Sequence, residues 1–327
     1  MQKAIAIIIP AYKPDYLEKA LKSIENQTDT RFQVYIGDDA SPNDLWPIVE
    51  PFIERNDWIY TKFETNLGKS NLVGHWNRCV KLSIEPWIWL FSDDDELDPN
   101  CVSSFYKTLE SSLASNVFKF NFSIINEHSE RIASNETEFS TIDGFEFGKR
   151  RFERTLLNSA VEFIFSRYVF EREGGFVNFP SAWCSDDASW IAFSSPGTIQ
   201  YIEGGKVFWR MSDINISSQA GLFVATKLTA ASDFIIWFNT RYKQQITPRL
   251  FGEQIIWFRL QIENLNYEMP FMESVSFAIK LKPSGIKSWL RTFNELFARS
   301  FVSMKIKRKE AFEFGFRYWL SGILPKF

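Results

Sequence analysis

The chain reads as an α/β protein built on a doubly wound, mainly parallel sheet, and three observations lead there. Short apolar runs alternate with segments of helical period through the first third of the sequence. The first run, Ile5-Ala6-Ile7-Ile8-Ile9, has no polar face, as a strand covered on both sides requires. Distinctive turn and acidic residues then follow three strands: Pro10-Ala11-Tyr12 after the first, Asp38-Asp39 after the second, and Asp93-Asp94-Asp95 after the fourth.

Each element has its own signal. Pro14 and Asp15 open a helix whose apolar face carries Leu17, Leu21 and Ile24. Phe32 to Ile36 is the second strand and Trp58 to Phe63 the third. The spacing of Val73, Trp76 and Val80 predicts a helix from about Ser70 to Leu82. Trp87 to Phe91 is the fourth strand, and Val102, Phe105, Leu109 and Leu113 mark another helix. Phe118, Phe120, Phe122 and Ile124 alternate with Lys119, Asn121 and Ser123, a period-two strand. The polar stretch from Asn126 to Asp143 is expected as a surface loop or lid. Val161 to Phe165 is a further strand, and the segment from Arg167 stops at Gly174-Gly175. Ser185-Asp186-Asp187 opens a helix through Trp190 and Phe193. Glu203-Gly204-Gly205 between two apolar runs predicts a hairpin. A shift in composition near Ala220 predicts a boundary, with 1–218 as the catalytic domain and 219–327 as a helical, basic and aromatic region.

Composition narrows the function. The 327 residues are 45% hydrophobic, so a sizeable core forms and disorder is excluded over most of the length. A net charge of −3 argues against nucleic-acid binding. The charge is uneven: Lys280 to Phe327 carries +8, which leaves −11 for the preceding residues. Three cysteines without a Cys-x-x-Cys spacing and only two histidines argue against zinc and fit a reducing compartment. The run from Ala4 to Ile9 is too short for a signal-peptide core, and no stretch reaches the ~18 apolar residues of a membrane span.

Parallel sheets bind ligands beyond the carboxyl ends of their strands, so the three loops should open on one edge. Three adjacent aspartates repel one another, and hard oxygen donors favour Mg²⁺ or Mn²⁺ as the partner that offsets the repulsion. A solvated turn or helix cap is the plain alternative. Tyr12 offers a ring for stacking or for packing, and Asp39 offers an acceptor or an Asx-turn. Asn66-Leu67-Gly68-Lys69-Ser70 places backbone amides and a lysine where a phosphate or an ordinary turn could sit. It is not a P-loop, because Phe63 stands where the first glycine belongs. Asp186 and Asp187, at a helix start, favour ionised carboxylates.

Taken in order, Ile7-Ile8-Ile9-Pro10-Ala11-Tyr12, Ser23-Ile24-x-x-Gln27-Thr28, Ile36-Gly37-Asp38-Asp39-Ala40-Ser41, Asn66-Leu67-Gly68, Asn77-Arg78, Asp93-Asp94-Asp95, Gly174-Gly175-Phe176 and Asp186-Asp187 resemble a family 2 glycosyltransferase of GT-A fold. They span roughly residues 4 to 215. The resemblance implies an inverting transfer from a nucleotide-sugar donor, with a UDP-sugar favoured, to a hydroxyl of a glycan or polyprenyl-linked acceptor in surface polysaccharide assembly. It implies a nucleotide-binding half at 1–100 and an acceptor half at 101–218. Pro10, Ala11, Tyr12, Asp39, Asn66, Gly68, Lys69 and Asn77 would line the nucleotide. Asp95 would hold the cation, with Asp94 a second ligand and Asp93 facing the ribose or a cation-bound water. Asp187 would be the base, beside Asp186. Two departures stand out: Trp209-Arg210-Met211-Ser212 lacks the histidine of Arg-x-His, and the processive Gln-x-x-Arg-Trp is absent. A non-catalytic binding relative is the alternative, and a nucleotidyltransferase is disfavoured by the lack of a Gly-rich loop after the first strand. The expected place is the cytoplasm, peripheral on the inner membrane face. The C-terminal region would dock on anionic lipid or pack as helices with a basic rim.

Overall fold

A computed structural model describes residues 3–112, 115–135, 139–212, 223–265, 267–281, 290 and 292–296. The chain runs β1 (Ile5–Ala11), α1 (Leu17–Glu25), β2 (Phe32–Asp38), α2 (Trp46–Asn56), β3 (Ile59–Lys62), α3 (Gly68–Val80), β4 (Trp87–Leu90), β5 (Glu96–Leu97) and α4 (Cys101–Ser111). It continues through β6 (Val117–Ile125), β7 (Arg131–Asn135), β8 (Thr141–Asp143), α5 (Gly144–Phe152), β9 (Phe163–Ser166), α6 (Arg167–Arg172), α7 (Ser185–Phe193) and β10 (Thr198–Arg210). Three further helices follow: α8 (Val224–Arg241), α9 (Pro248–Asn264) and α10 (Phe271–Lys280).

One mixed sheet has the order β3-β2-β1-β4-β9-β6-β10-β5. The half β3-β2-β1-β4 is parallel, as the apolar runs predicted. β1 is central there, with Ile5 to Ile9 fully buried. β9 enters antiparallel between β4 and β6, and β10 runs parallel to β6. The carboxyl ends of β1, β2 and β4 therefore lie side by side on one edge.

Two expectations are corrected. The predicted hairpin is a single strand: β10 keeps its parallel pairing with β6 on both sides of Glu203-Gly204-Gly205, with a register shift between Ile202 and Lys206. The reason is close packing on α4. A Cβ on Gly205 would lie 2.7 Å from the Cys101 backbone nitrogen, and Gly204 takes a left-handed φ of +108° against Ser104. The two glycines make a bulge that lets the strand pass the helix. The polar stretch at 126–143 holds two strands, β7 on β6 and β8 on β10. The period-two run is β6 as expected, and Lys119 and Ser123 in it are fully buried.

By Cα packing the chain forms two units, 1–151 with 156–219, and 152–155 with 220–327. In the second, Phe152 packs on Phe234, Phe238 and Trp257, and Asn239 exchanges amide hydrogen bonds with Gln254. Lys305-Ile306-Lys307-Arg308-Lys309 and most of the expected aromatic face beyond Lys280 lie outside the described residues. Among the described residues no helix is long and apolar enough to cross a membrane.

Candidate active site

Strand ends supply the site because a parallel sheet aims its C-terminal loops at one edge. Here those loops are bonded to each other. Asp93 follows β4, and its Oδ2 accepts the backbone N–H of Tyr12 at 2.8 Å and of Lys13 at 2.9 Å. Asp39 follows β2, and its N–H donates to the Ala11 carbonyl at 3.0 Å. Ser41 Oγ donates to the Tyr12 carbonyl at 2.6 Å. The convergence expected of Pro10-Ala11-Tyr12, Asp39 and Asp93-Asp94-Asp95 is thus present as hydrogen bonds. Tyr12 itself keeps 40% of its surface exposed, a ring free to stack.

The acidic loop is buried and poorly compensated. Asp93, Asp94 and Asp95 are 7%, 8% and 2% exposed. Burial, and then the charge of Asp94, push the Asp93 carboxyl up to about 6 and raise Asp95 well above its ordinary value. Asp95 Oδ1 accepts the Arg210 backbone N–H at 2.7 Å, and Lys13 Nζ stands 3.8 Å from Asp94. Asp93 Oδ1 and Asp95 Oδ2 take no hydrogen bond among the described residues. Hard oxygens with unmet charge are the donor set Mg²⁺ or Mn²⁺ takes. Among the described residues no three His, Cys, Asp or Glu side chains form a ready cage. That suits an ion held by one or two carboxylates plus the ligand's own phosphates.

Arg210, kept where a histidine partner is missing, turns inward. Fully buried, its guanidinium donates to the Asp94 carbonyl at 2.8 Å, the Asn126 carbonyl at 2.7 Å, Ser129 Oγ at 3.1 Å and Glu96, and lies 4.4 Å from the Tyr16 ring centre. It braces the acidic loop from behind and does not face the crevice.

The Asn66 loop is corrected too. The amides expected to face a phosphate face Asp39: Leu67 N–H donates to Oδ1 at 2.9 Å and Gly68 N–H to Oδ2 at 2.8 Å. A Cβ on Gly68 would lie 2.5 Å from that Oδ2, which is why glycine stands there. Lys69 N–H goes to Asn66 Oδ1 at 2.8 Å, and the Lys69 side chain is exposed. Arg78 also donates to Asp39 Oδ1. A carboxylate has about four acceptor sites, so one remains on Asp39 Oδ2. The Asx-turn belongs to Asp38, whose Oδ1 takes the Ser41 N–H at 2.7 Å. His75 is buried, with Nδ1 accepting from Arg78 Nε at 3.0 Å. Burial holds its imidazole down at about 4, hence neutral.

Asn77 caps a turn. Its Oδ1 accepts the Phe176 N–H at 3.1 Å, so the amide supports Gly174-Gly175. From there residues 177–184 return to α7: Val177 N–H meets Ser189 Oγ and Phe179 N–H meets Ser185 Oγ, each at 2.9 Å. At the start of α7, Asp187 is 3% exposed and paired bidentately with Arg151, Nε to Oδ1 at 2.8 Å and Nη2 to Oδ2 at 3.1 Å. Asp186 beside it has no side-chain partner of this kind. Burial, and then the charge of Asp187, push its carboxyl up to about 7. Sequence reasoning missed Arg151. The only cue was the run Lys149-Arg150-Arg151, which does not say which cation turns inward.

With this geometry in place, known proteins resolve the class. The model of the family described as Glycosyl transferase family 2 matches residues 6–174, more than half of the chain. The chain belongs to this family. It is a glycosyltransferase, and the resemblance read from its motifs is borne out. No curated protein matches it by sequence. Its fold is similar to crystal structures of S. aureus TarS 1–349. The complex with UDP gives a TM-score of 0.55 and the complex with UDP-GlcNAc 0.58, each at 12% identity over 93% of this chain and 92% of that one. A longer TarS structure gives 0.55 at 13% identity, covering 92% of this glycosyltransferase and 55% of TarS.

Proposed function

We propose that this glycosyltransferase moves a sugar from a nucleoside diphosphate donor, a UDP-sugar first, to a hydroxyl of a glycan or polyprenyl-linked acceptor in surface polysaccharide assembly. One observation carries the reading: three strand-end loops are hydrogen-bonded to one another around under-compensated carboxylates. The TarS complexes with UDP and UDP-GlcNAc support the choice of donor.

In this reading residues 1–100 hold the nucleotide and 101–218 the acceptor. Tyr12 stacks on the base, the remaining Asp39 site accepts from the base edge, and Lys69 meets phosphate. Asn66, Gly68 and Asn77 shape the crevice from behind, through the bonds described above. Mg²⁺ or Mn²⁺, held by Asp95 with Asp94 as second ligand and Asp93 facing the ribose or a cation-bound water, would supply charge stabilisation for the departing diphosphate. Asp186 and Asp187 supply the base for the acceptor hydroxyl, and attack proceeds in line with inversion. The +8 charge of 280–327 supports a peripheral place at an anionic membrane.

The test is thermal shift and calorimetry with UDP, GDP and UDP-GlcNAc, with and without Mn²⁺. UDP should raise the melting temperature in a Mn²⁺-dependent way, because ligand binding stabilises by mass action. No response to any nucleoside diphosphate, with or without cation, overturns the donor class.

A further inference from the structure

A cavity of about 350 Å³ lies between residues 70–72 of α3 and residues 178–182, and none of the roles assigned so far uses it. Its size falls near the lower end of the ~300–1,000 Å³ of small-molecule sites, which suits one small ring and not a chain. Both walls are tied to the candidate active site. On one side Gly68, just ahead of Ser70, donates its N–H to Asp39. On the other, Phe179 N–H is held by Ser185 Oγ, next to Asp186. The walls turn irregular where they meet the cavity. Asn71 departs from helical dihedrals inside α3, and its Oδ1 restarts the helix by accepting the Gly74 N–H at 2.8 Å. Opposite it, Ser181 and Ala182 both stand at φ +56°, a left-handed conformation that side chains adopt at a cost and that recurs at ligand sites.

The lining chemistry narrows the occupant. The cavity is walled by amides, hydroxyls and the apolar Leu72, Phe179 and Pro180, with no charged side chain among them. Asn178 Nδ2 reaches Asn71 Oδ1 at 3.4 Å, a long bond. Asn71 Nδ2, Asn178 Oδ1 and Ser181 Oγ take no hydrogen bond among the described residues. A donor, an acceptor and a hydroxyl beside apolar surface match a sugar ring, whose hydroxyls both give and accept and whose C–H faces are apolar. A carboxylate or phosphate placed there would lose water and gain no cation. Resting on the glycosyl-transfer reading, we propose that this cavity is a subsite for one uncharged sugar ring, and that Asn178 and Ser181 set its specificity. The donor's transferred sugar and the acceptor's terminal sugar present the same chemistry, so the experiment separates them.

Two arms on the full chain decide it. The first is calorimetry with Mn²⁺, comparing UDP with UDP-glucose, UDP-GlcNAc and UDP-glucuronate. The second is saturation-transfer NMR with methyl glucoside, methyl N-acetylglucosaminide and methyl glucuronide, each with UDP and Mn²⁺ present. If the ring is the donor's, a neutral UDP-sugar should bind more tightly than UDP, and Asn178→Ala should remove ~5–10-fold of that advantage while UDP affinity changes less than twofold. If it is the acceptor's, Asn178→Ala should weaken a neutral methyl glycoside by the same factor and leave the ratio of UDP-sugar to UDP unchanged. Ser181→Gly removes the hydroxyl and suits the left-handed φ, so it should weaken the same sugar without lowering the melting temperature. Asn178→Lys should reverse the preference and favour the glucuronide over the neutral sugar. Wild type that binds no neutral sugar in either arm, or binds the glucuronide as tightly as the glucoside, overturns the proposal. So does neutral-sugar binding that ignores all three variants. UDP that fails to bind the wild type counts against the donor reading, and the glycoside arm still judges the cavity.

Discussion

The loop at Asp93-Asp94-Asp95 and the helix start at Asp186-Asp187 are both buried acidic clusters, yet they are balanced in different ways. At the helix, a guanidinium from α5 neutralises one acid inside the fold. At the loop, backbone N–H groups of Tyr12, Lys13 and Arg210 orient the acids, and the nearest ammonium, Lys13, stands 3.8 Å from Asp94. Arg210 bonds the Asp94 carbonyl and pairs with Glu96, and its charge offsets only part of what raises Asp95. The difference separates two tasks. A site for a proton keeps its charge partner within the protein. A site for a cation and diphosphate leaves charge unmet until the ligand brings it.

The largest expected effect breaks that contrast at the loop. Asp95→Asn keeps an oxygen for the Arg210 N–H and removes the charge. Turnover should fall ~10²–10³-fold, and the Mn²⁺-dependent thermal shift should vanish. The same substitution should raise the melting temperature of the cation-free protein by ~3 °C at pH 7.5, because the repulsion is gone. The sign follows from the proton affinities. Asp93, raised to about 6, and Asp95, raised well above its ordinary value, favour the fold while protonated, and that contribution is lost as pH climbs through the folded-state values. Stabilisation by Mn²⁺ should therefore be small at pH 5, where it must displace protons, and large at pH 7.5. Melting curves that show the same Mn²⁺ shift at both pH values would count against the loop as its site.

The next effect sharpens the other half of the comparison. Lys119 and Glu162 are fully buried, and Glu162 also takes the Ser159 N–H at 2.9 and 3.0 Å. Removing one partner of such a pair costs about 3–5 kcal/mol, whereas replacing both with apolar residues is close to neutral. Glu162→Gln should destabilise by that order in urea melts, and Lys119→Met with Glu162→Leu by much less. Glu162 also raises Asp186, one of the two acids proposed to supply the base, so in Glu162→Gln the acid limb of the pH profile of turnover should move to lower pH. A limb that stays put would show that α7 does not feel the charge beneath it.

The same contrast explains what the amino-acid sequence could reveal. Asp93-Asp94-Asp95, Asp39 and Tyr12 were legible because each ends a strand, and strand order alone brings such ends together. Arg151 was not, because its pairing with Asp187 spans 36 positions in sequence and depends on how α5 packs. The alternation around Lys119 showed a strand but not its cover: β6 lies between β9 and β10, and Lys119 is fully buried. Glu203-Gly204-Gly205 carries the chemistry of a turn, and only contact with α4 shows it to be a bulge. The helix α2 went unread because Pro47 and Pro51 break its pattern, although Pro47 sits in the first turn, where no N–H is needed.

The smallest effect concerns Asn77, which separates support from contact. Its Oδ1 holds the Phe176 N–H at 3.1 Å, and Gly175 beside it, at φ +108°, leaves no room for a Cβ against that amide. If Asn77 serves the turn, Asn77→Ala strands one N–H and costs about 1 kcal/mol. UDP affinity should then change less than twofold, and turnover should fall only as far as α7 shifts behind the loosened turn. If Asn77 touches the nucleotide, affinity should drop ~10-fold with little loss of stability, the value of one lost polar contact. Calorimetry and a melting curve on this one variant separate the two, because the turn and the nucleotide draw on different atoms of the same amide.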